Sequence, residues 1–203
     1  MSAIAPPAVG AEAEPTIAED NAHALEALSA RRGPSAHPPR ARAGGLLAAL
    51  AFGAATALAA TVGARVNMRK RNKAWYHLLR KPSFTPPDRV FALVWTPLYA
   101  LSAYSGFRVW QAPDSKARTT ALALWGAQIA FNGAWSWIFF GKHRPRLALV
   151  DLAANYAALG GYTLAASKVD RPAAALMTPY LGWLSFAGAL NAEIVRTPQI
   201  LAR

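Results

Sequence analysis

The chain has 203 residues, 54% of them hydrophobic and 16% charged, with a formal net charge of +12; soluble domains carry about 25% charged residues. It contains no cysteine, which excludes disulfides, thiolate chemistry and the sulfur ligands usual in zinc and iron–sulfur sites. The four histidines, His23, His37, His77 and His143, are scattered in polar regions, and no HExxH, GxSxG, GxGxxG or P-loop pattern is present.

Residues 1–43 are rich in Ala and Pro, hold few large apolar side chains and show no period. That composition predicts a disordered extension, with at most a transient helix around 18–30. Its five acids argue against a mitochondrial transit peptide. A bilayer core of about 30 Å needs about 20 apolar residues in a helix. Segments 44–64, 90–107, 119–141, 147–167 and 172–192 meet that length, and only the fourth carries a charge, Asp151. A backbone in lipid must satisfy its own hydrogen bonds, so these segments are predicted as helices. The fold class is therefore an all-α membrane protein: a five transmembrane helix bundle over 44–197, a structured loop between helices 1 and 2, and a short tail, 198–203.

The high positive charge sits between apolar runs, which points to membrane topology and not to nucleic acid. Thirteen Lys and Arg fall on the side of the 65–89 loop, 142–146 and the C-terminus, and eight on the other side, with Arg108 near a span end. The richer side is expected in the cytoplasm, which places the C-terminus there.

Residues three, four and seven apart share a helix face. Trp95, Tyr99 and Ser102 form one such stripe; Gln128, Asn132, Trp135 and Phe139 form a second. Asp151, Asn155 and Tyr162 form a third, and Tyr180, Trp183, Ala187 and Asn191 a fourth. Amides left unpaired in hydrocarbon cost several kcal/mol, so the stripes should turn inward. Any single amide reads as interhelical glue, worth about 0.6 kcal/mol per hydrogen bond. Tryptophans beside amides at mid-span depth, away from their usual interfacial place, suit a pocket for a flat ligand with a polar edge. Gln128 is assigned to tying helices, and Asn132 with Trp135 to a pocket wall. Asp151 is read either as a proton or ligand contact or as a partner of Arg144 and Arg146 near its span end. Pro97 and Pro179 lie within spans and can kink them, either shaping a cavity or bending a packed helix.

The stretch from Trp75 to Phe91, WYHLLRKPSFTPPDRVF, is basic, aromatic and held extended by Pro82, Pro86 and Pro87. Two readings stand: a lid over the helix ends, and an interfacial anchor with Lys81 on lipid phosphates.

The blocks WYxxLxKPSFTPP (75–87), VWTPLY (94–99), QIAFNGAWSWIFFG (128–141), LALVDL (147–152) and PYLGWLSFAGALN (179–191) resemble the TspO/MBR family of translocator and tryptophan-rich sensory proteins. The resemblance spans about residues 44–197. It implies five transmembrane helices around a pocket opening toward the first loop, a homodimer, and protoporphyrin IX or haem-type tetrapyrroles as ligands; animal members also take cholesterol and synthetic ligands. Trp95, Asn132, Trp183, Ala187 and Leu190 match pocket positions of the family. Trp135, Phe139 and Phe140 match its aromatic block, and Trp75 and Pro86 its lid. Tyr99 joins the pocket from its stripe, and Phe84 and Lys81 join the lid. Lys81 or Arg80 is offered, from charge, as a partner for porphyrin propionates. Ala192 and Glu193 stand where the animal cholesterol motif has tyrosines, and Leu147 stands where the animal pocket has a Trp. Cholesterol binding and animal-type drug affinity are therefore not expected.

The expected function is tetrapyrrole binding in a membrane, in sensing, transport or stress-linked regulation, with membrane lipid around it and no required cofactor. With every histidine outside the spans, the ring is expected to bind without tight iron ligation. The alternatives are light- or oxygen-dependent porphyrin degradation, with tryptophans as the reactive residues, and a structural membrane protein that regulates a partner. No catalytic or metal-ligating set is identified. The bacterial cell membrane is the expected location.

Overall fold

A computed structural model describes residues 44–198. The extension expected over 1–43, and the tail beyond 198, lie outside the described residues. Within them there are seven α-helices, one π-helical turn and no strand. In chain order they are α1 (Gly45–Asn67), α2 (Lys70–Leu78), α3 (Asp88–Gln111), α4 (Lys116–Ser136), the π turn (Trp137–Gly141), α5 (Pro145–Ser167), α6 (Arg171–Ala175) and α7 (Thr178–Arg196).

Gly45–Asn67, Asp88–Gln111 and Arg171–Arg196 are long and apolar enough to cross a membrane. α4 and α5 are as long but less apolar, because Gln128, Asn132, Asp151 and Asn155 sit in them. Gln128, Asn132 and Asn155 are buried inside the protein, as the stripe argument required. The outer surface instead carries Leu46, Leu58, Leu93, Val150 and Leu164, a covering suited to lipid.

α4 and α5 make the most extensive helix contact, followed by α1 with α3 and α5 with α7. Buried polar side chains fix these helices in register. Gln128 Nε2 donates to Ser102 Oγ at 3.1 Å, tying α4 to α3 as its stripe predicted. Trp125 Nε1 donates to the Ser102 carbonyl at 2.9 Å. Its indole passes over Gly106, where a Cβ would lie 2.7 Å from Nε1; only glycine leaves that room. Tyr162 of α5 reaches Ser105 at 2.6 Å, and Ser105 donates onward to the Ala173 carbonyl at 2.7 Å. Ser102 and Tyr162, read from sequence as members of the aromatic–amide faces, thus serve helix packing. Asp170 accepts from the Ala173 N–H at 3.0 Å, capping α6, and pairs with Arg108 of α3 at 3.0 Å. Arg118 closes the α3–α4 turn through Asp114 and two bonds to the Trp110 carbonyl.

The structure corrects the sequence reading at three places. The Trp75–Phe91 stretch is not extended throughout: Trp75 to Leu78 belong to α2, and Asp88 to Phe91 open α3. Proline acts only where it stands, and KAWYHL has none, so the chain stays helical until Leu79. Pro179 does not kink a continuous helix. The apolar stretch Arg171–Arg196 is interrupted by a turn at Leu176 and Met177, between α6 and α7, and Pro179 falls in the first turn of α7, where its missing N–H costs nothing. Asp151 pairs with neither Arg144 nor Arg146; its buried Oδ2 has no hydrogen-bond partner among the described residues. Arg146 lies five residues away and so on another helix face, and Arg144 lies about 10 Å away along the axis. Pro97, by contrast, is accommodated inside an unbroken α3.

Candidate functional site

α7 packs its backbone mainly on α5, and its link to α3 is made by side chains. Trp95 of α3 meets Tyr180 and Trp183 of α7 edge-on, at ring-centre distances of 5.7 and 6.3 Å. Bulky rings hold the two helices apart, and a cavity of about 490 Å³ remains between them and α1, α4 and α5. That volume is within the range of small-molecule sites.

All eight residues predicted for the pocket line this one cavity: Trp95, Tyr99, Asn132, Trp135, Phe139, Trp183, Ala187 and Leu190. The rings form two separate groups. In one, Trp95 stacks on Tyr99 at 5.4 Å and Trp183 touches Phe91 at 5.8 Å. In the other, Trp135 stacks on Phe139 at 4.9 Å, and Phe140 meets Trp135 at 5.8 Å and Tyr76 at 5.4 Å. The π turn builds the second group. Its wider winding, marked by the Lys142 N–H on the Trp137 carbonyl at 2.9 Å, brings both Phe139 and Phe140 to the wall.

Asn132 is at the wall but its amide is already engaged. Oδ1 accepts from the Tyr99 hydroxyl at 2.5 Å, and Nδ2 donates to the Tyr180 hydroxyl at 2.8 Å. It therefore joins α4 to α3 and α7. Among the described residues, the buried polar atoms of the wall that lack a protein partner are Trp135 Nε1, Trp183 Nε1, Asn155 Oδ1 and Asn67 Oδ1. These are two donors and two acceptors set in an apolar, aromatic surface.

The four lid residues stand behind the wall and do not line it. Trp75 stacks on His143 at 4.4 Å and meets Phe139 edge-on at 5.5 Å. Phe84 rests against Phe186 of α7 at 6.2 Å. Pro86 is half-buried in the segment leading into α3. Lys81 turns back on α2: its Nζ donates to the Tyr76 and Leu79 carbonyls at 2.8 and 3.3 Å and lies 4.6 Å from the centre of the Tyr76 ring. It caps a helix end.

His143 locks α2 to the π turn. Its Nε2 lies 3.2 Å from Asn72 Oδ1, while Asn72 Nδ2 donates to the Val66 carbonyl at 2.7 Å. The residue takes φ 55, in the left-handed region that non-glycine residues rarely adopt. Burial, and then the charge of Arg71, hold its imidazole below the ordinary value. Tyr76 of α2 is pushed up to about 12 by burial, with Asp88 adding to the effect.

The sequence reading missed the contributions of α1 and α2. Ala60, Gly63 and Ala64 complete the wall from α1, and Lys73, Tyr76 and His77 complete it from α2. For α2 a signal was available, since residues 73, 76 and 77 share one helix face. The small residues of α1 carry no chemical signal; only packing decides which of them face the cavity.

The TspO/MBR family profile matches residues 47–196, which include the whole cavity wall. The chain is 37% identical to the translocator protein of Bos taurus over 128 residues, covering 62% of this chain and 76% of that protein. It is 37% identical to the Homo sapiens translocator protein over 145 residues, covering 70% and 85% respectively. It is also 37% identical to the tryptophan-rich sensory protein of Cereibacter sphaeroides over 147 residues, covering 72% and 89%. With its apolar helices and this match across its cavity and helices, the chain is a membrane protein of the TspO/MBR family.

Proposed function

We propose that the protein binds a tetrapyrrole, protoporphyrin IX or haem held by its ring, within a bundle of five membrane-crossing helices, and acts in sensing, transport or stress-linked regulation. The observation that carries this reading is the pair of aromatic groups, Trp95–Tyr99–Trp183 and Trp135–Phe139–Phe140, lining one cavity without touching each other. Two aromatic surfaces across a gap suit a flat conjugated ring, and the unpartnered indole N–H groups can meet its polar atoms. The inward polar faces of α4 and α5 support their crossing the bilayer too, since at 21 and 23 residues each is long enough.

Protoporphyrin IX titrated into detergent-purified protein should quench tryptophan fluorescence saturably in the micromolar range. Ala187→Phe should abolish saturation by filling the cavity while leaving the helical circular dichroism unchanged. Quenching that never saturates, or that is the same in the variant, refutes the reading.

The protein is further proposed to reside in a bacterial cell membrane as a homodimer with its C-terminus in the cytoplasm. The charge asymmetry and the family resemblance support this. Because the chain has no cysteine, a single cysteine introduced at Ala117 can be labelled by an impermeant maleimide on intact cells. Labelling from outside is expected; protection until lysis reverses the orientation.

A further inference from the structure

The cavity is electrostatically lopsided. Its ionisable Lys, His and Asp lining is confined to the α2 end: Lys73 and His77 from α2, and Asp88 from the first turn of α3. The opposite end is closed by neutral groups, Tyr99, Asn132 and Asn155. The segment 65–89 around the α2 end holds eight Lys and Arg and one acid, Asp88. Lys81 is spent on helix-end carbonyls. Lys73 makes no ion pair among the described residues. Lys73 and His77 are exposed and, four residues apart, sit on the helix face that also brings Tyr76 to the wall.

This distribution constrains any ligand with an acidic group. A carboxylate placed at the neutral end would be buried without a counter-charge, at a cost of several kcal/mol. At the α2 end it would stay partly hydrated and meet an ammonium and an imidazole. We infer that the cavity takes an amphipathic carboxylic acid in one orientation, its carboxylate held by Lys73 and His77 at the α2 end and its ring body between the two aromatic groups, with Asp88 limiting affinity by repulsion. The inference rests on the tetrapyrrole reading and deepens it. It replaces Lys81, which turns to helix-end carbonyls, and Arg80, which does not line the cavity, by Lys73 as the propionate partner.

The test compares protoporphyrin IX with its dimethyl ester, which keeps the ring and removes both charges. Exposed ion pairs reach about 1 kcal/mol, so the acid should bind wild type up to about fivefold more tightly than the ester. Lys73→Gln should remove most of that difference by weakening the acid, with the ester still binding saturably, which also reports an intact cavity. Asp88→Asn should tighten the acid alone, and salt should narrow the gap. Adding phosphatidylglycerol to the micelles separates the other source of anion. If Lys73 serves only lipid headgroups, Lys73→Gln alters lipid retention and not the acid-to-ester ratio, and the inference falls. It falls equally if acid and ester bind wild type alike, in which case the tetrapyrrole reading survives. Absence of saturable binding by either compound overturns both.

Discussion

Replacing Asn132 by Ala should cost about 1–3 kcal/mol of folding stability, most of it through Tyr180. The two hydrogen bonds of Asn132 run to Tyr99 and Tyr180 at 2.5 and 2.8 Å. At the intramembrane average of about 0.6 kcal/mol each, their loss alone is worth about 1.2 kcal/mol. The partners then differ. Tyr99 lines the cavity and can turn to another acceptor there. Tyr180 is 2% exposed and keeps only Asn155 at its hydroxyl, so losing the Asn132 donor there raises the total toward about 3 kcal/mol. Tyr180→Phe removes the hydroxyl that loses its donor, so Asn132→Ala should cost less in that background than in wild type. The assay is a double-mutant cycle read by reversible unfolding in mixed micelles. A coupling of at least about 0.5 kcal/mol is expected. Additive single mutants would show that the amide does not join the helices, and would return Asn132 to the role of a ligand contact.

Two further substitutions test the packing and the α2 lock. Gly106→Ala should destabilise by about 1–3 kcal/mol, because its Cβ would lie 2.7 Å from Trp125 Nε1 and 2.8 Å from the Phe52 ring. Gly126→Ala, with no heavy atom within 4 Å of the new Cβ, should be neutral or stabilising in the same melt. Equal effects would refute the close-approach argument. For His143, the folded state holds the imidazole below its ordinary value, so the unfolded chain takes up the proton first. Stability should be flat above about pH 6.5 and fall as pH drops below it. His143→Asn, which tolerates the positive φ, should flatten that fall; an unchanged pH profile would refute it.

Much of the site was legible in the sequence because helical periodicity links spacing to face. Asn132, Trp135 and Phe139 on α4 and the π turn, and Trp183 and Ala187 on α7, reach one cavity from that rule alone. Periodicity cannot tell which part of a face meets which neighbour. Tyr162 and Ser102 share stripes with pocket residues yet pair with Ser105 and Gln128 in the packed region. Nor does it show which polar atoms remain available. Asn132 is assigned to the pocket wall and stands there, but its amide is bonded to two tyrosines, while the indole N–H groups of Trp135 and Trp183 have no partner among the described residues.

By itself the sequence determined the helical class, the membrane character and the inward faces, since these follow from apolar run length and a period of 3.6, both properties of the chain read locally. Tertiary structure decided the rest. It set the helix break before Pro179, the π turn that turns two phenylalanines inward, the withdrawal of Lys81 to a helix end and the arrival of Lys73 at the cavity. These depend on which side chains from distant segments occupy the same space, and a one-dimensional pattern does not encode distance between helices.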